Sequence, residues 1–196
     1  MSRSSILHNC SPQKLQVSLA LDFMSIEELI DIIEEAFDGV PQPGDITLHV
    51  AEAHDEYDYE HDKEHQKKDY IGRWQDLPQE HIRHCQSALS FVNKTGMRFY
   101  LPAYMVWYLR NFGKDEVVTD HALYSLDNHG KDPKLAEYHK ERFSLFTPKQ
   151  LRACALFIKF CANDATEFTD THFAKTKYER HWFKNEKMQQ SKALCS

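Results

Sequence analysis

The run LPAYMVWYLRNF, residues 101–112, carries apolar side chains on every side of the helix that it predicts. A helix that is apolar all round has no face for water, so we expect it at the buried centre of a helical domain. Pro102 lies near the start of this run, and proline is common in the first turn of a helix. The chain must therefore supply further helices that pack around this one.

Those surrounding helices are predicted by capping residues followed by apolar stripes. Ser25 and Glu28 have the spacing of a capping box, and an apolar stripe follows them as far as Gly39. Four more helices are predicted to begin at Thr47, near Pro78, at Thr147 and near Thr171. The sequence therefore predicts a mainly α fold, a compact single-domain array of several helices.

The helical domain is predicted to span residues 25–190, between an N-terminal arm at 1–24 and a tail at 191–196. Within the arm, apolar and polar residues alternate over 15–23, and this period of two favours a short strand. A strand needs a hydrogen-bonding partner inside the domain or in a second subunit, so a homo-oligomer formed through the arm is one expectation. The alternative is an extended arm that lies over the helices.

Charge, hydropathy and cysteine count exclude several classes of protein for this chain. The net charge of −6 argues against broad nucleic-acid binding, which needs a basic face. No apolar run reaches the roughly 18 residues that would predict a membrane span. The five cysteines make an odd number without close pairs, which favours reduced thiols and a cytoplasmic protein.

Four runs in order carry a resemblance to a known family. They are DITLHVAEAHD, GRWQDLP, ALSFVNKTGMRFYLPAYM and ERFSLFTPKQLRACALFIKF. Over roughly residues 26–162, the chain resembles a family of uncharacterised bacterial proteins that is catalogued as a domain of unknown function. The resemblance implies a compact, mainly helical domain and brings no catalytic residues with it. The alternating arm before Ser25 and the acid-rich stretch after Ala53 depart from the family pattern.

The stretch HDEYDYEHDKEH, residues 54–65, is rich in possible metal ligands. If the helix that begins at Thr47 continues through it, His54, Asp58, His61 and His65 share one face. Asp58, His61 and His65 would then present a carboxylate and two imidazoles to Zn²⁺ or another divalent ion, with His49 or a neighbouring helix completing the site. The alternative interpretation is a solvated helix face that holds no ion.

Charge provides a second hypothesis for the same stretch. From Glu27 to Glu64 the chain has 14 acids and one base, and such a surface suits a basic protein partner. The predicted contact residues are Asp55, Glu56, Tyr57, Asp58, Tyr59, Glu60 and Asp62. The sequence thus favours a non-catalytic protein-binding module, immunity- or antitoxin-like in its concrete form. The alternative is a metal-dependent hydrolase that uses Asp58, His61 and His65.

Two further groups of residues have alternative interpretations. Tyr100, Tyr104, Trp107 and Tyr108 follow one another at helical spacing and would either line a ligand pocket or belong to the core. Cys85 and His81 are one helical turn apart, and one interpretation of this spacing is a nucleophile with its base. Because Cys85 falls on an apolar stripe, a buried structural thiol is the favoured interpretation.

Overall fold

The structure is a computed structural model that describes residues 24–114, 118–127, 132–163, 166 and 168–187. Ten α-helical segments are described: α1 Ile26–Ala36, α2 Leu48–Asp55, α3 Asp62–Gln66, α4 Gln79–His84, α5 Lys94–Arg110, α6 Val118–Tyr124, α7 Pro133–Arg142, α8 Pro148–Asn163, α9 Thr171–Lys177 and α10 Phe183–Lys187. Short 3₁₀ turns span Trp74–Asp76 and Ala88–Ser90, and a π-helical turn, Tyr178–Trp182, joins α9 to α10. The predicted mainly α fold is confirmed. The alternating segment at 15–23 and the tail at 191–196 lie outside the described residues.

The first helix begins as its capping box predicts. Ser25 Oγ accepts a hydrogen bond from the backbone N–H of Glu28 at 3.1 Å, and Glu28 Oε2 accepts one from the backbone N–H of Ser25 at 2.8 Å. These two bonds satisfy backbone donors that a helix start otherwise leaves without partners. Leu29 and Ile33 are fully buried on the inner side of α1. The helix is thus held at its start by the cap and along its length by the core.

The central helix, α5, is longer at its N-terminus than the sequence predicted. Asn93 caps it, and its side chain accepts hydrogen bonds from the backbone N–H groups of Thr95 and Gly96. Pro102 therefore lies inside the helix and not at its start, so its predicted position was wrong. The missing proline N–H removes one helical hydrogen bond. Burial of every residue from Phe99 to Leu109 outweighs that loss and confirms the central, buried helix.

The other helices pack around α5 in two groups. Helices α1, α6 and α7 contact α5 directly, while α8 contacts α1 and the two C-terminal helices α9 and α10. Two tyrosines of α5 fix the elements that carry the candidate site. The Tyr100 hydroxyl accepts a hydrogen bond from the backbone N–H of Leu48 at the start of α2, and the Tyr104 hydroxyl donates one to the carbonyl of Cys85, just after α4. The core thus positions α2 and α4 side by side.

No helix within the described ranges is long and apolar enough to cross a lipid bilayer.

Candidate functional site

The stretch 54–65 is not one continuous helix, so that expectation was wrong. Helix α2 ends at Asp55, and the backbone N–H of Asp58 donates to Ala53 O at 2.9 Å while that of Tyr57 donates to His54 O at 3.2 Å. This pair of bonds is the Schellman motif that closes many helices. Acidic side chains repel one another at helical spacing, and 56–61 has no aliphatic residue to bury, so the helix gains nothing by continuing. We call residues 55–64, which are this turn and the start of α3, the acidic loop.

Tyr57 occupies the position in this motif where glycine is usual. Its φ is +63°, and it is the one non-glycine residue with positive φ in the described part of the chain. The left-handed conformation costs an L-residue about 1–2 kcal/mol relative to the ordinary helical region. The side chain recovers little of this cost by packing, because it is 83% exposed. Tyr57 is therefore a residue that folding alone does not favour.

Imidazole–carboxylate hydrogen bonds hold the acidic loop together. Asp58 Oδ1 lies 2.7 Å from His61 Nδ1, and Asp58 Oδ2 lies 2.9 Å from His65 Nε2. His54 Nε2 lies 2.8 Å from Asp62 Oδ1 on the other side of the loop. The His65 and His61 hydrogen bonds lower the pKa of Asp58 to about 2, and the hydrogen bond with Asp58 raises the pKa of His61. The loop is thus an ordered turn even though most of its side chains face water.

The three predicted metal ligands lie close together, but they are hydrogen-bonded to one another. Both carboxylate oxygens of Asp58 are engaged by the imidazoles of His61 and His65. Across the described residues, no group of three or more His, Cys, Asp or Glu side chains is arranged to hold an ion. The zinc site stays a prediction, and the observed hydrogen bonds pair Asp58 directly with the two histidines.

The paired state of Asp58 and His61 predicts a pH window. A lowered Asp pKa adds stability above its ordinary value of about 4, and a raised His pKa adds stability below its ordinary value of about 6.5. The Asp58–His61 contribution should therefore be greatest between about pH 4 and 6.5, and it should fade as pH rises through the raised pKa of His61. In an NMR titration, Asp58→Asn is expected to bring the His61 pKa down towards its ordinary value.

His49 provides an internal control for this titration, because burial lowers its pKa. The His49 pKa should stay below its ordinary value in both the wild type and Asp58→Asn. A His61 pKa that is the same in the two proteins would show that Asp58 does not hold this imidazole.

The carboxylates of the acidic loop differ from those of α1 in their partners. On α1, Glu34 pairs with Arg110 at 3.1 Å and Glu35 pairs with Lys149 at 2.5 Å. Glu56, Glu60 and Glu64 are exposed, and no lysine or arginine of the described chain pairs with them. Asp55 has a neutral partner, the Ser87 hydroxyl, at 2.6 Å. The negative charge near the loop is therefore left for solvent or another molecule, while part of the charge on α1 is balanced internally.

A row of side-chain contacts links Cys85, His49 and His81, and the sequence spacing predicted only part of it. His49 Nδ1 is 3.5 Å from Cys85 Sγ, and His49 Nε2 is 2.8 Å from His81 Nδ1. His49 and His81 come from different helices, α2 and α4, so their contact could not be inferred from spacing. Cys85 is fully buried, and this burial raises the pKa of its thiol far above the ordinary value. The thiol therefore stays protonated and serves packing, as predicted.

The aromatic residues of α5 lie in the core, with hydroxyls that point to different elements. Tyr100 reaches the start of α2 and Tyr104 reaches Cys85, while the Tyr108 hydroxyl lies 2.5 Å from Thr169 Oγ1. Trp107 borders a cavity of only about 30 Å³. The three tyrosines are thus core residues whose hydroxyls have hydrogen-bond partners, whereas the buried Trp107 Nε1 has none among the described residues. Hydroxyls that point to different elements give no support to a shared ligand pocket.

Two features of the loop surface were not predicted. Ile71 is 87% exposed and lines a cavity of about 520 Å³ together with Lys63, Gln66 and Lys67 of α3 and the segment that follows it. The left-handed conformation of Tyr57 also has no signal in the sequence, since tyrosine does not favour it. The conformation of Tyr57 depends on where α2 ends, and the acid-rich composition after Ala53 is the one sequence signal of that end.

Comparison with known proteins identifies the family to which this chain belongs. No curated protein and no solved structure matches this chain significantly. A family match covers residues 25–186, which is nearly all of the described helical array. The chain therefore belongs to DUF6714, a family of unknown function.

Proposed function

We propose that this protein is a non-catalytic protein-binding module that uses the acidic loop to bind a basic partner. The observation that carries the proposal is Tyr57, a tyrosine that is 83% exposed in a left-handed position where glycine would fold better. Unfavourable backbone conformations cluster at functional sites, where the side chain has a use other than stability. In its concrete form, the module is immunity- or antitoxin-like and blocks a toxin.

The electrostatics of the loop favour a basic partner. Glu56, Glu60 and Glu64 are exposed and close in sequence to the exposed tyrosines, and they have no lysine or arginine partner among the described residues. Unpaired charges of one sign raise the rate at which a molecule of opposite sign arrives, without requiring a buried ion pair. The charges thus provide attraction at long range.

Contact area comes from the exposed apolar and aromatic side chains nearby. Tyr59 is 57% exposed, and its ring packs against the His54 imidazole with centroids 4.8 Å apart. Tyrosines carry much of the binding energy at many interfaces because they are large, rigid and amphipathic. Ile71, which follows α3, adds an apolar side chain that is exposed to solvent. Tyr57, Tyr59 and Ile71 are the expected anchors within a rim of carboxylates.

Affinity capture from the source cells tests the proposal, with three forms of the full chain as bait. The wild type should retain a basic protein, and the double variant Tyr57→Ser/Tyr59→Ser should lose it. The control is Leu135→Ala, which removes an exposed apolar side chain from α7. A partner that the double variant retains as well as the wild type would exclude the loop as the binding surface.

A further inference from the structure

A second cleft lies at the N-terminal end of α5. It has a volume of about 600 Å³, within the range of small-molecule sites. Pro41, Pro43 and Tyr138 form apolar parts of its wall, and Lys94, Thr95 and Arg142 contribute polar groups. The first residues of α5 line the cleft, so the positive end of this helix's dipole lies there. The helix is long, with 17 residues.

Arg142 is the unusual member of this cleft. Its side chain is 4% exposed, and no carboxylate of the described residues contacts it. One terminal nitrogen donates to the carbonyl of Leu89 and lies 3.0 Å from Met97 Sδ, while Nε has no hydrogen-bond partner. The guanidinium carbon lies 5.3 Å from the centroid of the Tyr138 ring. Buried cations are normally paired with an anion, so this one has an unmet electrostatic requirement.

We propose that the cleft binds a small monocarboxylate whose apolar or aromatic part lies against Pro41, Pro43 and Tyr138. Arg142 provides the charge that recognises the carboxylate, since guanidinium groups match carboxylates in geometry and hydrogen bonding. Lys94, at the cleft mouth, adds a second cation. Its contact with Glu141 is loose, at 3.7 Å between exposed side chains, so the amine is available to a ligand.

The acids that line the same cleft set the expected selectivity. Asp45 accepts a hydrogen bond from Asn93 at 2.8 Å, and Glu141 is the loose partner of Lys94. Their negative charges counteract two cations, so the cleft has no excess charge with which to hold a dianion. A monocarboxylate with an apolar body should therefore bind better than phosphate, which carries more charge and has no apolar surface.

NMR observation of arginine Nε–H groups tests this assignment directly on the full chain at constant ionic strength. Sodium benzoate is the probe, with acetate, inorganic phosphate and benzylamine for comparison. Benzoate should shift the Arg142 Nε–H signal saturably, acetate and phosphate should do so only at higher concentration, and benzylamine should leave it in place. An Arg142 signal that benzoate does not move would overturn the proposal, and phosphate binding as tight as benzoate would overturn the monocarboxylate class.

Variants separate the cleft from general charge effects. Arg142→Met should weaken benzoate binding by about tenfold or more, the usual consequence of losing a charged hydrogen-bond partner. Arg98→Met is the matched control, because Arg98 bonds to Gln150 outside the cleft. Lys94→Met changes an exposed residue and should weaken binding severalfold without affecting folding, so it decides the matter if Arg142→Met fails to fold. Equal losses in Arg98→Met and Arg142→Met would contradict the assignment.

Discussion

Trp107→Ala is expected to lower the free energy of unfolding by about 3–5 kcal/mol, as large-to-small changes of buried aromatic residues do. Trp107 is 3% exposed and belongs to the run of buried residues along α5. The Arg83 guanidinium also lies over its ring, 5.7 Å from the centroid, so the substitution removes this contact together with the apolar packing. Urea denaturation of the two proteins, monitored by circular dichroism, provides the measurement.

Leu135→Ala is the control for this stability change, because Leu135 is 43% exposed and its loss should alter the free energy of unfolding only slightly. If Trp107→Ala unfolds at the same urea concentration as the wild type, α5 is not the helix on which the core is built. The fold described above would then be wrong at its centre.

Removing charge from the acidic loop is expected to slow association with the partner by about tenfold or more at low salt. The variant is Glu56→Gln/Glu60→Gln/Glu64→Gln, which leaves the Asp58 and Asp62 hydrogen bonds intact. Stability should change little, because exposed carboxylates contribute little to it. The difference in association rate should shrink as salt rises, since screening acts beyond about 8 Å at physiological ionic strength.

A second triple variant separates the position of the charge from its amount. Glu27→Gln/Asp31→Asn/Asp38→Asn removes the same formal charge from exposed positions on and after α1. Stopped-flow association with the captured partner should show a much smaller loss for this variant. Equal rate losses in the two triple variants would mean that total charge, and not the acidic loop, attracts the partner.

The helices predicted best are those that begin with a local cap. Ser25 and Glu28 predict the start of α1, and Thr147 with Pro148 predicts that of α8, because both signals lie within one turn of the helix. Helix α7 begins in the same way, at Asp132 and Pro133, yet its apolar stripe is too weak to have been recognised. Local signals of this kind predict a start when an apolar stripe follows them.

The start of α5 shows how burial overrides a local preference. Proline favours the first turn of a helix, but Asn93 caps α5 two turns before Pro102. The residues between them are largely buried, and this burial rewards helix formation on both sides of the proline. The preference of one proline for the first turn is small in energy. It therefore cannot predict which of two possible helix starts the packing of the core will stabilise.

The acidic loop could be predicted in its contacts but not in its shape. Helical spacing placed Asp58, His61 and His65 together, and they do meet, although a turn brings them together and not a shared helix face. The left-handed Tyr57 depends on where α2 ends, and the partners of Arg142 are distant in sequence. No pattern in a single sequence records such contacts.

Tyr57→Gly tests the central claim most directly, because it separates folding from binding at one residue. Glycine adopts the left-handed conformation without strain, so the variant should be more stable than the wild type by about 1 kcal/mol, even after the greater flexibility of unfolded glycine is counted. Its affinity for the captured partner should nevertheless fall by about tenfold or more, as the loss of an interface tyrosine typically causes. Urea denaturation and calorimetric titration on the same two proteins provide both numbers. A variant that is more stable and binds with wild-type affinity would contradict the proposal that Tyr57 is kept for binding.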